Sequence, residues 1–225
     1  MRIALATLAM AMGELVAAPA QAQMYWRLEL GYSKPGDADF KDNNFNDAGV
    51  IWADSSGTQP GTLNKIDGSI IAGGGVGYRF TSSLRGDVML AYRGFYSLND
   101  KTFEATYHAG ITSTTVMVNG YYDFSAGGVR PYVGAGIGWA RNETDRLVQD
   151  FGLGFANTFS GATRDDTAVA LMAGIGVPYS GWTLDIGYRY VDLGKFETGT
   201  AAAFGISSGQ TGKLTAHELT LGARF

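Results

Sequence analysis

The sequence predicts an all-β fold, an eight-stranded antiparallel up-and-down transmembrane β-barrel. Segments of about ten residues alternate between large apolar and small or polar side chains, a pattern typical of barrel strands. The gaps between these segments are alternately long and short. After Gln23 no apolar stretch approaches the roughly 20 residues that a membrane-spanning helix needs. A membrane crossing by this chain would therefore use strands.

Residues 1–22 are predicted to be a signal peptide, and residues 23–225 the barrel domain. Arg2 provides a short basic start, residues 3–12 an apolar run, and residues 20–22 an A-x-A cleavage pattern before Gln23. Cleavage removes one Arg and one Glu, so the formal charge of −4 is unchanged. The absence of Cys excludes lipid attachment at the cleavage site and predicts a fold without disulfides. The modestly acidic balance gives no support to nucleic-acid binding.

The first segment, residues 26–33, shows the alternation. Trp26 and Leu28 fall on one face, and Arg27 and Glu29 fall on the other. Seven further segments repeat it, at residues 67–80, 84–93, 115–124, 133–140, 168–177, 182–190 and 218–225. The polar face combines Gly with charged residues, a set that fills a narrow polar lumen but cannot form a dry core. The bulky apolar face is therefore predicted to contact lipid. A soluble lipocalin-like barrel or sandwich shares the alternation and stays open as the alternative.

The gaps predict how the chain is threaded. Long gaps lie at residues 34–65, 97–110, 142–166 and 192–213, and short gaps at 81–83, 125–129 and 178–181. Bacterial barrels have long external loops and short periplasmic turns, so both mature termini are predicted to be periplasmic. Residues 147–159 leave open a ten-stranded version with one extra hairpin.

Aromatic residues sort toward the two ends of the segments, as the two membrane interfaces favour. One predicted belt, next to the short gaps and the termini, comprises Trp26, Tyr78, Phe80, Tyr122, Phe124, Trp182 and Phe225. The other, toward the long gaps, comprises Tyr32, Tyr92, Trp139 and Tyr190.

The polar faces carry as many cations as anions. The predicted lumen charges are Arg27, Arg79, Arg85, Arg93, Arg189 and Arg224 with Glu29, Asp67, Asp87, Asp123, Asp185 and Glu218. These groups are expected to pair, because an unpaired buried charge is very costly. Eight strands leave an interior just wide enough for such side chains to fill. The lumen is therefore predicted to be plugged or barely permeable.

The last strand, residues 217–225, resembles the C-terminal signature of outer-membrane barrels, an alternating strand that ends in Phe. Residues 131–139 and 184–194 resemble strands of the opacity-type surface antigens and the alphaproteobacterial "porin family", which are relatives of the OmpA transmembrane domain. The resemblance implies insertion in a Gram-negative outer membrane, among its lipid and lipopolysaccharide. It also implies that Phe225 is the assembly signal read by the barrel-assembly machinery. The group includes adhesins, structural anchors and a few enzymes, so the resemblance implies architecture rather than one activity.

The chain offers little for catalysis or cofactor binding. Its two histidines, His108 and His217, are predicted to be ordinary loop and interface residues, although Ser113 lies near His108 in sequence. No catalytic residue, cofactor or metal site is therefore predicted. Thiolates are absent, and the acidic runs of Asp37, Asp39 and Asp42 and of Asp165 and Asp166 lack the spacing of a calcium loop. The glycine runs at 73–75 and 134–138 lie inside strands, so lumen packing explains them better than a phosphate loop does.

Three functions remain, in decreasing order of preference. The first is a surface barrel that displays long external loops for adhesion, envelope integrity or partner binding. Residues 147–159 and 201–206 are apolar for loops, so they are expected either to contact lipopolysaccharide or a partner, or to extend the strands. The second is a narrow porin-like channel for ions or small solutes. The third is a lipid A-modifying enzyme that would depend on His108 or His217.

Overall fold

The computed structural model describes residues 23–38, 41–42, 66–101, 106–150, 152, 154, 156–200 and 209–225. The predicted signal peptide at 1–22, the apolar segment at 201–206 and Asp39 lie outside the described residues. Within the described part every regular element is a strand. It contains no helix long and apolar enough to cross a membrane.

Eight long strands form a closed antiparallel barrel, which confirms the predicted fold class. They are β1 (Gln23–Pro35), β3 (Ser69–Arg79), β4 (Leu84–Lys101), β5 (Thr106–Asp123), β6 (Arg130–Thr144), β9 (Ala162–Tyr179), β10 (Trp182–Glu197) and β11 (Gln210–Arg224). Three short strands, β2 (Lys41–Asp42), β7 (Leu147–Asp150) and β8 (Ala156–Phe159), lie outside this ring. Each barrel strand pairs with its neighbours along the chain, and β1 pairs with β11 to close the ring.

One end of the barrel carries the short turns and the ends of the barrel domain; we call it the turn end. The turns at 80–83, 124–129 and 180–181 join strands directly, as predicted. Gly181 adopts a φ of 87°, a conformation that glycine tolerates and other residues rarely adopt. Trp26 and Phe225 exchange two backbone hydrogen bonds of 3.0 and 2.9 Å, which fasten the first strand to the last. The opposite end is the loop end.

The strands run further toward the loop end than the alternation predicts. The predicted loop at 97–110 is mostly strand, because β4 extends to Lys101 and β5 begins at Thr106. These two strands have 18 residues each, whereas a tilted strand needs only about 9–11 to cross a bilayer. The parts of the strands nearest the loop end therefore lie beyond the band of outward-facing apolar side chains that would contact the bilayer.

The ten-stranded alternative is wrong. Residues 147–159 do form a hairpin, in which β7 pairs with β8. However, β7 pairs only with the upper part of β5, from Thr106 to His108. Below that point β5 pairs with β6, and β6 pairs with β9, so the hairpin projects beyond the ring without entering it.

The barrel reverses its polarity along its axis. In the lower part the outward face is apolar and the lumen is charged, as predicted. Toward the loop end the inward positions of β10 change from Asp185 and Arg189 to Val191 and Leu193. The exposed positions there hold ion pairs, such as Lys213 with Asp192 at 3.0 Å. We call the buried apolar group at this level the upper core; it includes Tyr96, Leu98, Ile111, Leu147, Phe159, Val191, Leu193, Phe196, Leu214 and Ala216.

Candidate functional site

The barrel lumen contains most of the predicted charges. Ten of the twelve are buried: Arg27, Arg85, Arg93, Arg189, Arg224, Glu29, Asp87, Asp123, Asp185 and Glu218. Arg79 is half-buried at the turn end. Asp67 is exposed and is not one of the lumen charges. Since β3 begins only at Ser69, Asp67 lies beyond the loop end of that strand.

Five of these side chains form one chain of alternating charge across the lumen. Glu29 Oε2 forms an ion pair with Arg27 Nη2 at 3.0 Å, and Glu29 Oε1 accepts from Arg189 Nη2 at 2.6 Å. Arg189 also donates through Nη1 to Glu218 Oε2 at 3.1 Å. Glu218 in turn accepts from Arg93 Nε at 2.6 Å. Each glutamate thus lies between two guanidinium groups, so neither carboxylate is left as an uncompensated buried charge.

Asp87 is a second centre of the same network. Its carboxylate accepts hydrogen bonds from Asn119 Nδ2 at 2.8 Å and from the hydroxyls of Tyr121 and Tyr25, both at 3.3 Å. The Tyr121 hydroxyl also accepts from Arg27 Nη1 at 2.9 Å. Tyr121 therefore links Asp87 to the alternating chain. Each of these buried polar groups thus has a hydrogen-bond partner, without which its burial would be costly.

Two further pairs lie toward the turn end. Arg85 donates through Nε to both carboxylate oxygens of Asp123, at 3.0 and 3.1 Å. Its guanidinium carbon lies 3.8 Å from the centre of the Tyr121 ring and 4.8 Å from that of Tyr132, a cation–π arrangement. Arg224 contacts Asp185 through Nε at 2.6 Å and Nη2 at 3.1 Å.

Glycine makes room for these large side chains. A Cβ atom on Gly134 of β6 would lie 2.6 Å from Cδ1 of Tyr121, a contact that real Cβ atoms do not make. The Tyr121 ring therefore occupies the space that any other residue at position 134 would need. Within strand β6 the glycine run thus packs against the lumen side chains.

Sequence reasoning missed the lumen tyrosines. Tyr25, Tyr96, Tyr121 and Tyr132 are all buried, and the first three bond to the charged or polar lumen side chains. Tyr121 has the same parity as Asn119 and Asp123, so strict use of the alternation places it inward. The predicted aromatic belts include none of these four tyrosines, and the predicted lumen set was restricted to charged residues.

The histidines do not join a catalytic arrangement in the described residues. His217 is exposed on the outward face, where its Nδ1 lies 2.7 Å from the Tyr188 hydroxyl and its ring is tilted against that of Tyr190, with ring centres 5.1 Å apart. His108 is exposed on β5, whereas Ser113 is fully buried on the opposite face of the same strand. Because successive side chains alternate between faces, these two residues point away from each other.

The acidic run of Asp165 and Asp166 likewise has protein partners. Asp165 accepts from Arg141 Nε at 2.9 Å and Nη2 at 3.2 Å, and this pairing lowers the pKa of the exposed Asp165 carboxyl. Asp166 accepts from the backbone N–H of Lys195 at 3.1 Å. Asp37 is exposed. The part of the chain that the structure describes contains no cluster of three or more potential metal ligands.

Comparisons with known proteins agree with this architecture. A family model described as "Outer membrane protein beta-barrel domain" matches residues 3–225. The outer membrane protein PagN of Salmonella typhimurium is 35% identical over 89 residues, which cover 38% of this chain and 36% of PagN. This match therefore spans about a third of the relative's length. The putative adhesin RC1281 of Rickettsia conorii is 26% identical over 219 residues, covering 90% of this chain and 82% of that protein.

A solved structure shows the same fold. The outer membrane protein OprG of Pseudomonas aeruginosa superposes with a TM-score of 0.56, covering 89% of this chain and 95% of OprG. The two sequences are 16% identical, so this likeness concerns the barrel architecture.

Proposed function

This chain belongs to the outer membrane protein beta-barrel domain family, and on that premise we propose that it is a closed, non-catalytic surface barrel. In this role the barrel anchors the loop end at the cell surface, where the loops mediate adhesion, partner binding or envelope integrity. Membership confirms the predicted resemblance and locates the protein in the bacterial outer membrane. The apolar outward face of the lower barrel accordingly contacts lipid.

The proposal of a closed lumen rests on its filling at two levels. The lower lumen is crossed by the chain Arg27–Glu29–Arg189–Glu218–Arg93, whose members are at most 5% exposed. Above it the upper core closes the same lumen with apolar side chains such as Phe159 and Phe196, both 0% exposed. A diffusing solute would have to displace both, so the filling favours a closed barrel over the narrow channel.

The proposed orientation places both mature termini in the periplasm. It follows from the parity of eight strands, with four connections at the loop end and three turns at the turn end. We extend the proposal to the signal peptide at residues 1–22 and to Phe225 as the contact with the barrel-assembly machinery. The side chain of Phe225 is exposed and stacks near Trp182, with ring centres 6.5 Å apart.

Electrical recording tests the closed lumen. The purified barrel, inserted in planar bilayers, is expected to show no stable conductance steps, because the two fillings leave no continuous water path. Folding is checked in parallel by the heat-dependent shift in electrophoretic mobility of the same preparation. Large, steady steps from protein that passes this check would contradict the closed lumen and favour the porin-like channel.

The loop end supports a surface role through its hairpin. β7 and β8 project beyond the ring, and Leu147 and Phe159 at their base are fully buried in the upper core. The base is therefore anchored. The sequence between the two strands contains Phe151 and Phe155, which lie outside the described residues. The relative RC1281 is described as a putative adhesin, and the similarity makes adhesion the first activity to measure.

A cell-binding assay tests this role. Cells with the intact gene are expected to adhere to host-cell monolayers at least threefold more than deletion cells, because the hairpin of β7 and β8 projects beyond the ring from an anchored base. The variant F151S/F155S is expected to lose most of that difference. The matched control T112R, on the outward face of the upper barrel, is expected to keep it. Equal adhesion by intact and deletion cells would overturn adhesion; their detergent sensitivity then tests envelope integrity.

A further inference from the structure

The turn end contains a cavity of about 310 Å³ that the lumen network does not fill. Its volume is at the lower end of the range of about 300–1,000 Å³ that small-ligand pockets occupy. We call it the turn-end vestibule; its polar wall is formed by Gln23, Tyr25, Arg79, Arg130, Thr183 and Arg224. Its rim also includes outward-facing residues of the aromatic belt, among them Trp182 and Phe225.

The vestibule has a surplus of positive charge. Arg79, Arg130 and Arg224 line it. Arg85 is the fourth cation of this group, because its charge also acts on the Arg79 guanidinium. Two carboxylates face this group, Asp123 and Asp185, and each is already bound in an ion pair, to Arg85 and Arg224 respectively. The four guanidinium groups outnumber these two carboxylates.

Two of the four cations lack an anionic partner within the described residues. Neither Arg79 nor Arg130 has a carboxylate oxygen within ion-pair distance there. They reach the vestibule from different strands. Arg79 on β3 lies opposite Gln23 of β1, and Arg130 on β6 lies opposite Gly176 of β9. Like charges brought together in this way repel one another unless an anion lies between them.

Arg224 provides an independent observation. It is only 4% exposed, and its Nη2 donates to Asp185 Oδ1 at 3.1 Å. Its Nη1 and Nε atoms are buried without a hydrogen-bond partner among the described protein atoms, although Nε lies 2.6 Å from Asp185 Oδ2 in an ion pair. Gly176 leaves space for this guanidinium, because a Cβ there would lie 2.8 Å from Arg224 Nη2. A buried donor without a partner is costly. The side chain thus offers an unused donor beside the cavity that it lines.

We propose that the turn-end vestibule binds a phosphate-type anion between Arg79, Arg130 and the free Nη1 donor of Arg224. Guanidinium groups match phosphate oxygens in shape and charge. The ligand is either a free phosphate compound or the headgroup of an anionic phospholipid whose acyl chains lie along Trp182 and Phe225. This site goes beyond the proposed surface function, because it lies at the opposite end of the barrel from the loops.

Binding measurements on the folded barrel test the site. In zwitterionic detergent, calorimetric titration with pyrophosphate is expected to show saturable binding. The variant R79Q/R130Q should weaken it at least tenfold, because it removes two of the three binding cations. Both residues lie at the rim, so folding is expected to persist and is checked by heat-dependent mobility. The matched control K34Q removes an exposed cation at the loop end and should leave binding unchanged.

A second arm separates the two sources of phosphate. In nanodiscs of mixed phosphatidylglycerol and phosphatidylcholine, native mass spectrometry counts the lipids retained by the barrel. Preferential retention of phosphatidylglycerol that R79Q/R130Q abolishes identifies a lipid headgroup. Pyrophosphate binding without lipid preference identifies a free anion. If R79Q/R130Q changes neither pyrophosphate affinity nor phosphatidylglycerol retention relative to K34Q, the proposal is overturned.

Discussion

Replacing Glu218 by alanine is expected to lower the free energy of unfolding by about 3–5 kcal/mol, the usual cost of breaking a buried ion pair by removing one partner. Glu218 is 0% exposed and accepts from Arg93, Arg189 and the hydroxyl of Ser33. After the substitution Arg189 keeps Glu29, but Arg93 keeps only the hydroxyl of Thr115, at 3.0 Å. The loss is therefore mainly the cost of leaving Arg93 buried without a counter-charge.

The measurement is urea unfolding of the barrel in phospholipid vesicles, followed by tryptophan fluorescence. E218Q keeps the shape of the side chain but not its charge, and should be nearly as unstable as E218A. The double variant R93M/E218L should recover most of the loss, since replacing both partners by apolar residues of similar volume is often neutral. The control D165N breaks an exposed pair and should leave the unfolding midpoint unchanged. An E218A midpoint equal to that of the wild type would show that the lumen hydrates Arg93 freely.

The second large effect is expected on the lipid-facing surface. Val118 is 60% exposed and lies midway along the apolar outward face of β5. Val118→Arg is expected to lower the free energy of unfolding in vesicles by about 2–4 kcal/mol, the cost of an arginine at the midplane of a bilayer. The same protein in detergent micelles, where the side chain can reach water, should show a smaller loss.

Thr112 provides the matched control on the same strand and the same face. It lies six residues further toward the loop end, opposite Glu143 of β6, or about 20 Å along a strand. Because the outward face is polar at that level, T112R is expected to leave stability unchanged in vesicles. Equal losses for V118R and T112R would mean that the apolar band extends into the upper barrel, contrary to the polarity reversal.

Much of the fold was predictable because side-chain facing in a strand is a local property. Arg27 and Glu29 share a parity, as do Asp185 and Arg189, and the structure buries all four in the lumen. The parity of the gaps likewise predicted eight strands. Local alternation has a period of 2, so it assigns a face whatever the remainder of the chain does.

The lumen network is different, because its partners are distant in sequence. Glu29 meets Arg189 across 160 positions, and Arg93 meets Glu218 across 125. These contacts depend on the closure of β1 against β11 and on the register of each strand pair. The same closure brings Tyr121 to Arg27, 94 positions away. Its contact with Asp87, 34 positions away, depends on the register between β4 and β5.

The sequence alone thus established the barrel, its strand number and the facing of its membrane-level residues. The tertiary structure was needed for the upper core, the pairing of charges and the turn-end vestibule. The physical reason is that alternation assigns each residue to one of two faces but does not show at which level along the strand the surroundings of each face change. Arg189 and Leu193 both point inward from β10, but Arg189 lies among the lumen charges and Leu193 among the apolar side chains of the upper core. Only the closed barrel shows at which level the outward face changes from apolar to polar, and at which level the lumen changes from charged side chains to the upper core.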